Sequence, residues 1–329
     1  MPGQPTPSQA HFDRLLTNYS LMYLQDERRF VADKVFPILP VQNASDQFRT
    51  FGKGAFMRSG MGPRPLGGKP NVIGFATGFD AYAAIEQAER AMIDDRERKN
   101  VSGDPTYDPE RVKTRLLTQH MMIQRDIDWA TKYFTDSVWT TEYTGVAGAP
   151  AATQIRQWDQ AASTPVDDID QLKEAQLETT GYEPNVIVMG RKVWRTFKNH
   201  PDVIDRLKTT DDKMLTLDIA ARLLEVDKVL VPGGVKNIAV EGADDNIGFI
   251  LAKDKMLLAY AAPEVGLEVP TAGLTFAWQG LVPDGGMRQA AIFRGRIDDQ
   301  YSDWIDIKVA YDMKKVAADL AVFVKSVVA

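Results

Sequence analysis

The chain has no cysteine. That excludes disulfides, thiolate zinc sites and cysteine nucleophiles, and suits a protein assembled in a reducing cytoplasm. Histidine is nearly as scarce, with only His11, His120 and His200 in 329 residues. None has an Asp, Ser or second His at a spacing that marks a metal site or a catalytic triad. His120 falls near the apolar stripe of a helix and is expected to be packed; His200 precedes Pro201 at a helix end. No apolar run reaches the roughly 18 residues of a membrane helix, and MPGQPTPSQAHFDR lacks the basic and apolar regions of a secretory signal. Phosphate loops are missing too. GKG at 52–54 and GMGPRPLGG at 60–68 contain Pro, or lack the strand-to-helix setting and the terminal Lys-Ser/Thr. The net charge of −6 argues against phosphate-backbone binding as the main task.

What is present is an ordinary globular composition, 44% hydrophobic and 26% charged, with a length that suggests about two domains. Acidic clusters occur at Asp94-Asp95, Asp167-Asp168-Ile169-Asp170, Asp244-Asp245 and Asp298-Asp299. They are expected to be solvated loop acids or helix-start charges rather than a hard-cation site. Nothing points to an enzyme, a cofactor or a metal.

The most organised stretch is a helix over Asp108–Phe134. Asp108 can cap its first turn, and Pro109 suits the first helical position, where a missing N–H costs nothing. Val112, Leu116, Ile123, Ile127 and Phe134 recur at helical spacing and are the expected core face; Leu117, Met121 and Tyr133 widen it. Before this helix, Phe12–Tyr23 predicts a short helix, and residues 30–41 (FVADKVFPILPV) an apolar extended arm, because Pro37 and Pro40 favour extended predecessors. Residues 47–56 and 72–82 look extended and flank the Gly/Pro-rich tip 58–70, giving a long hairpin. A hairpin of this kind is marginal alone, so it needs a surface to lie on. Residues 83–99 predict a charged helix.

Beyond the long helix, residues 135–152 form a crossing. Helices are expected at 166–177, 192–198, 202–208 and 215–224, and strands at 185–189, 228–232 and 247–260. This alternation makes a mixed α/β unit. Near the C-terminus, residues 287–296 form a strand, and Ile305, Ile307, Val309 and Tyr311 alternate with Asp306, Lys308 and Ala310, as in a strand with one solvated face.

These parts occur together in one family. Ala32–Val41 (ADKVFPILPV), Arg125–Ala130 (RDIDWA), Gly181–Gly190 (GYEPNVIVMG) and Gly273–Trp278 (GLTFAW) carry a resemblance to the major capsid proteins of tailed bacteriophages, whose fold is shared with encapsulins. The resemblance implies an α+β phage coat-protein fold: an N-terminal arm (1–46), an extended β-hairpin loop (47–82), a peripheral domain (83–150 and 286–329) with a spine helix (108–134) on a β-sheet, and an inserted α/β axial domain (151–285). It also implies a non-enzymatic shell protein that assembles with itself through pentamers and hexamers into an icosahedral virion capsid around double-stranded DNA, without reading its sequence. Assembly in the host bacterial cytoplasm is expected, with a portal and a decoration protein as further partners. Because the arm starts close to Met1, a separate scaffolding protein is expected as well. Loop residues Arg49, Lys53, Arg58, Met61, Arg64 and Lys69, and arm residues Phe30, Val35, Phe36, Pro37 and Pro40, are the expected subunit contacts. Lys53 and Lys69 stand where some relatives form a covalent cross-link, but are expected to make ionic contacts with a neighbour. The competing expectations are an encapsulin-like nanocompartment shell, and a hydrolase or ligand-binding protein built on 151–285.

Overall fold

The computed structural model describes residues 24–64, 66–74, 77–101, 108–207, 215–264, 266, 269–281 and 290–329. The helix expected at Phe12–Tyr23 and His11 lie outside them. In chain order come helix α1 (Ala32–Val35), strands β1 (Ile38–Val41) and β2 (Ser45–Phe51), helix α2 (Lys53–Phe56), strands β3 (Thr77–Ala83) and β4 (Ile85–Asp94), and helices α3 (Asp95–Val101) and α4 (Pro109–Tyr133). Next are β5 (Thr141–Val146), β6 (Gln154–Arg156), α5 (Pro165–Thr180), β7 (Val186–Met189), α6 (Arg191–Lys198), α7 (Pro201–Leu207), α8 (Leu217–Leu223) and β8 (Lys228–Leu230). The remainder holds β9 (Val235–Asn237), β10 (Ile247–Phe249), β11 (Met256–Ala259), β12 (Gly273–Trp278), β13 (Ala290–Ile297), β14 (Ser302–Lys315) and β15 (Ala321–Lys325).

The long helix α4 forms where its sequence predicts. Asp108 takes extended backbone, and its Oδ1 accepts a hydrogen bond from the Glu110 N–H at 3.0 Å. Its 25 residues span about 37 Å. The buried face differs from the expected one. Of the first row only Phe134 is buried; Val112, Ile123 and Ile127 are half-buried and Leu116 is 44% exposed. The core side carries Leu117, Met121, Met122, Arg125, Asp126, Trp129 and Tyr133. Two of these are charged, so hydrophobic periodicity alone could not centre the stripe.

Two sheets flank this helix. One has the order β1-β12-β14-β13, with β4 also antiparallel to β14 over ten residue pairs. The other has the order β6-β5-β15-β11-β7-β8. The strand β4 corrects the helix expected over 83–99: only 95–101 is helical. Glu, Gln, Arg and Ala favour a helix weakly, and the ladder to β14 overrides them. In β14, Asp306 and Ala310 are buried along with Ile305 and Ile307, so the expected solvated face is covered. Arg90 covers Asp306 through two hydrogen bonds of 2.6 and 2.8 Å.

The second sheet's central strands β7, β11 and β15 are buried on both faces, which is why they are continuous apolar runs. Val186, Val188, Leu257 and Phe323 join the core around Trp129, whereas Ile187, Met189, Leu258 and Val322 join a second core under the helices α5–α8. Sheet membership also corrects the expected boundaries. Strands β5 and β15 belong to the six-stranded sheet, although 83–150 and 286–329 were expected to form one domain. Strand β12 leaves the inserted segment to pair with β1 and β14. The stretch 247–260 is two strands, β10 and β11, rather than one.

Candidate subunit-contact surface

The arm is held by its own chain. Asp126 Oδ1 accepts hydrogen bonds from the Val31 N–H at 3.0 Å and the Ala32 N–H at 2.8 Å, at the start of α1. Burial pushes the Asp126 carboxyl up to about 6, against the lowering effect of those two hydrogen bonds. Beside it, Arg125 pairs with Asp33 at 2.9 Å, and its guanidinium lies 5.0 Å from the Tyr311 ring centre. Phe36 then enters an aromatic group, 4.8 Å from Tyr133 and 6.3 Å from Trp129 between ring centres. Phe30, Val35 and Phe36 are therefore buried within this chain, and Pro37 is half-buried; only Pro40 of the five is exposed. The arm is also less extended than expected, since 32–35 is helical and 38–41 pairs in parallel with β12.

Several glycines of the four motifs have a packing reason. A Cβ on Gly273 would lie 3.0 Å from both Phe36 and Tyr133. On Gly190 it would strike the backbone of Lys253, and Gly181 closes α5 at φ 75°.

Among the described residues, the hairpin loop is anchored at its base. Strands β2 and β3 pair over seven positions, and Phe48 and Tyr82 pack on Phe276 with ring centres 5.2 and 4.4 Å apart. Beyond this base the apolar side chains stand out in solvent: Met61 is 94% exposed, Val72 94% and Leu66 fully exposed. Arg58, Arg64 and Lys69 are exposed with them. Arg49 lies over Phe79, 5.9 Å from its ring centre. Lys53 departs from the expectation of an intersubunit contact: its Nζ pairs with Asp319 and donates to the Thr179 carbonyl at 3.1 Å, both in its own chain.

A second exposed apolar feature had no warning in the sequence. Strands β9 and β10 form a separate hairpin, on which Ile238 is 57% exposed, Val240 79% and Ile247 68%. Its base is clasped by Gln25, whose side-chain amide donates to the Val235 carbonyl at 2.7 Å and accepts from its N–H at 2.9 Å.

Among the described residues no catalytic geometry emerges. Ser163 Oγ lies 3.0 Å from His200 Nε2, but His200 Nδ1 accepts from the Asp202 N–H at 3.2 Å. The imidazole proton is then on Nε2 and donates to Ser163, whose own proton goes to the Gln160 carbonyl at 2.7 Å. Burial lowers the His200 pKa. The pair fastens a loop to the start of α7 and has no base poised to activate the serine. His120 is not packed as expected; it is exposed, with Nδ1 2.9 Å from Glu89. No group of His, Asp and Glu able to hold a metal occurs among the described residues. Three of the four acidic clusters instead meet arginines, Asp95 and Asp298 with Arg296 and Asp167 with Arg206.

The family model described as phage major capsid protein E matches residues 141–248, from β5 through the second hairpin. The major capsid protein of Burkholderia phage BcepMu is 24% identical over 220 residues, covering 67% of this chain and 68% of the relative. In sequence the chain is similar to phage major capsid proteins. The fold agrees: a phage-related protein from Bordetella bronchiseptica RB50 matches with a TM-score of 0.69 at 20% identity, covering 92% of this chain and 94% of that one. The capsid structure of cyanophage P-SCSP1u matches with a TM-score of 0.57 at 12% identity, over 93% and 91% of the two chains. The role of the family is structural rather than enzymatic, and the motif-bearing helix, sheets and hairpin loop are those of an α+β phage coat-protein fold.

Proposed function

We propose that this chain assembles with itself, through pentameric and hexameric capsomers, into an icosahedral shell enclosing a double-stranded DNA genome in the virion. The observation that carries the reading is the extended loop. Its apolar tip side chains are too exposed for a finished surface, while its base is fixed by Phe48 and Tyr82 on Phe276. A neighbour covering each tip would bury them, and such head-to-tail contacts close into rings. In this reading α4 is the spine of a peripheral unit with the β1-β12-β14-β13 sheet, and the six-stranded sheet unit lies around the capsomer centre. Loop residues Arg58, Met61, Arg64 and Lys69 carry the contact.

A separate scaffolding protein and a portal direct assembly in the host bacterial cytoplasm. The net charge of −6 suits a wall that encloses DNA without binding it tightly or by sequence. An encapsulin-like compartment is disfavoured by the capsid-protein relative and is distinguished by content, nuclease-protected DNA against protein cargo. Electron microscopy of the purified chain, co-expressed with its scaffold where needed, tests the reading. Shells, rings or tubes from the intact chain, and soluble subunits when residues 57–71 are replaced by a short Gly/Ser turn, are expected. A compact monomer under every assembly condition would sink it.

A further inference from the structure

Two places where apolar side chains stand away from the surface carry opposite charge. The loop segment 54–74 contains Arg58, Arg64 and Lys69 and no acid; residues 238–248, at the tip of the β9–β10 hairpin, contain Glu241, Asp244 and Asp245 and no base. Among the described residues, none of these six side chains forms an ion pair, and Asp245 accepts a hydrogen bond from the Asn237 side chain at 2.8 Å. Each charged set borders bare apolar groups, Met61 and Leu66 on the loop, Val240 and Ile247 on the hairpin. Charge and apolar surface match across the two, while neither is satisfied within one chain.

The acidic hairpin is built to be presented. Asn237 Oδ1 accepts from the N–H groups of Ala239 at 3.1 Å and Asn246 at 3.0 Å, Gly242 turns the tip at φ 88°, and the Gln25 clasp fixes the base. A preformed surface loses little order on binding. At the foot of the hairpin, Lys236 and Asn237 border a groove of about 630 Å³ with Ile123 and Ile127 of α4 on its wall. Those two residues, half-buried in the chain, are covered when the groove is filled.

We infer that the basic loop tip of one copy docks on the acidic β9–β10 hairpin of a second copy, with its apolar side chains entering the adjoining groove. The inference rests on the shell reading and names the partner surface of the loop. Because the two surfaces differ, the contact is head-to-tail and propagates around a ring. Opposite charges orient the encounter, and like charges would oppose it.

Charge reversal tests the pairing. One variant carries Arg58→Glu, Arg64→Glu and Lys69→Glu; another carries Glu241→Lys, Asp244→Lys and Asp245→Lys; a third combines all six. All sites are exposed, so unchanged circular dichroism and thermal unfolding of the subunits serve as the folding control. Particle yield by sedimentation is expected to fall about tenfold in each single-surface variant and to recover in the combined one, because like charges then no longer face each other. A second readout uses the absence of cysteine: Arg64→Cys with Asp244→Cys should give a disulfide-linked ladder in particles and none in dissociated subunits. Single-surface variants that assemble like the wild type, or a combined variant no better than either parent, overturn the pairing while leaving the shell reading intact. Wild-type chain that forms no particle overturns both.

Discussion

The Asp126 carboxylate reaches across 94 residues of sequence to accept the Ala32 N–H at 2.8 Å. A charge buried in the helix thus fixes where the arm joins the body. Its raised pKa sets a sign. Folding holds the proton more tightly than the unfolded chain does, so this group favours the fold most below about pH 4 and progressively less as pH rises to about 6. The shift from 3.8 to about 6 corresponds to about 3 kcal/mol. Asp126→Asn keeps an acceptor oxygen but cannot titrate. Urea unfolding of dissociated subunits should show wild type losing stability relative to Asp126→Asn between pH 4 and 6. Parallel pH profiles for the two proteins would refute this. Asp126→Ala leaves two buried N–H groups unanswered and should be about 2–4 kcal/mol less stable than Asp126→Asn at any pH, since neither variant titrates.

Gly273 permits the arm to seat. Adding one methyl would press on the rings of Phe36 and Tyr133, at 3.0 Å from each. Neither ring can withdraw: Tyr133 is held by its hydroxyl, which donates to the Leu274 carbonyl at 3.1 Å, and Phe36 is buried between Tyr133, Trp129 and Trp139. Overpacking of this kind costs about 1–3 kcal/mol. Gly273→Ala should lower the urea midpoint accordingly, and Gly273→Ala with Phe36→Leu should regain part of the loss. If the double variant is simply the sum of two losses, the contact is not the cause.

Arg90 and Asp306 set the low-pH limit on the first sheet. The guanidinium grips Asp306 with two hydrogen bonds and stacks on Trp304 at 4.4 Å. That grip holds the Asp306 carboxyl below its ordinary value. A depressed folded pKa contributes stability above the unfolded value near 4 and loses it as pH falls further. Arg90→Lys keeps the charge but not the forked geometry or the stacking. It should lower the thermal midpoint at pH 7, and the deficit should shrink below pH 4. A deficit that stays constant down to pH 3 would mean the ion pair is not what was lost.

These residues also mark how far the sequence could be read. The cap at Asp108, the apolar run Val186–Met189 and the α5–α8 series follow local rules and were legible. The strand β4 was not, because its composition favours a helix and only the distant β14 makes it a strand. The face of α4 was misjudged for a related reason: Arg125 and Asp126 are buried because the arm supplies their partners, and periodicity counts only apolar residues. The resemblance implied a contact role for the loop. It did not show that Lys53 would be tied to Asp319, nor that 235–249 would form a second exposed hairpin, since both depend on long-range packing.

The Lys53 tie has a consequence for the loop before assembly. Lys53 holds Asp319 and the Thr179 carbonyl just beyond the end of β2, so it steadies the point where the loop leaves the body. The pair is partly exposed, and its removal should cost under about 1 kcal/mol of global stability. Local freedom should respond more than the fold does. In Lys53→Met, tryptic cleavage after Arg58 in dissociated subunits is expected to quicken about fivefold, the population change that ~1 kcal/mol allows, while the thermal midpoint stays within a degree or so of wild type, as for a lost surface ion pair. Asp319→Asn should behave the same way, and the two changes together should be no worse than either alone. An unchanged digestion rate in both single variants would show that the loop is steadied by Phe48 and Tyr82 on Phe276 alone.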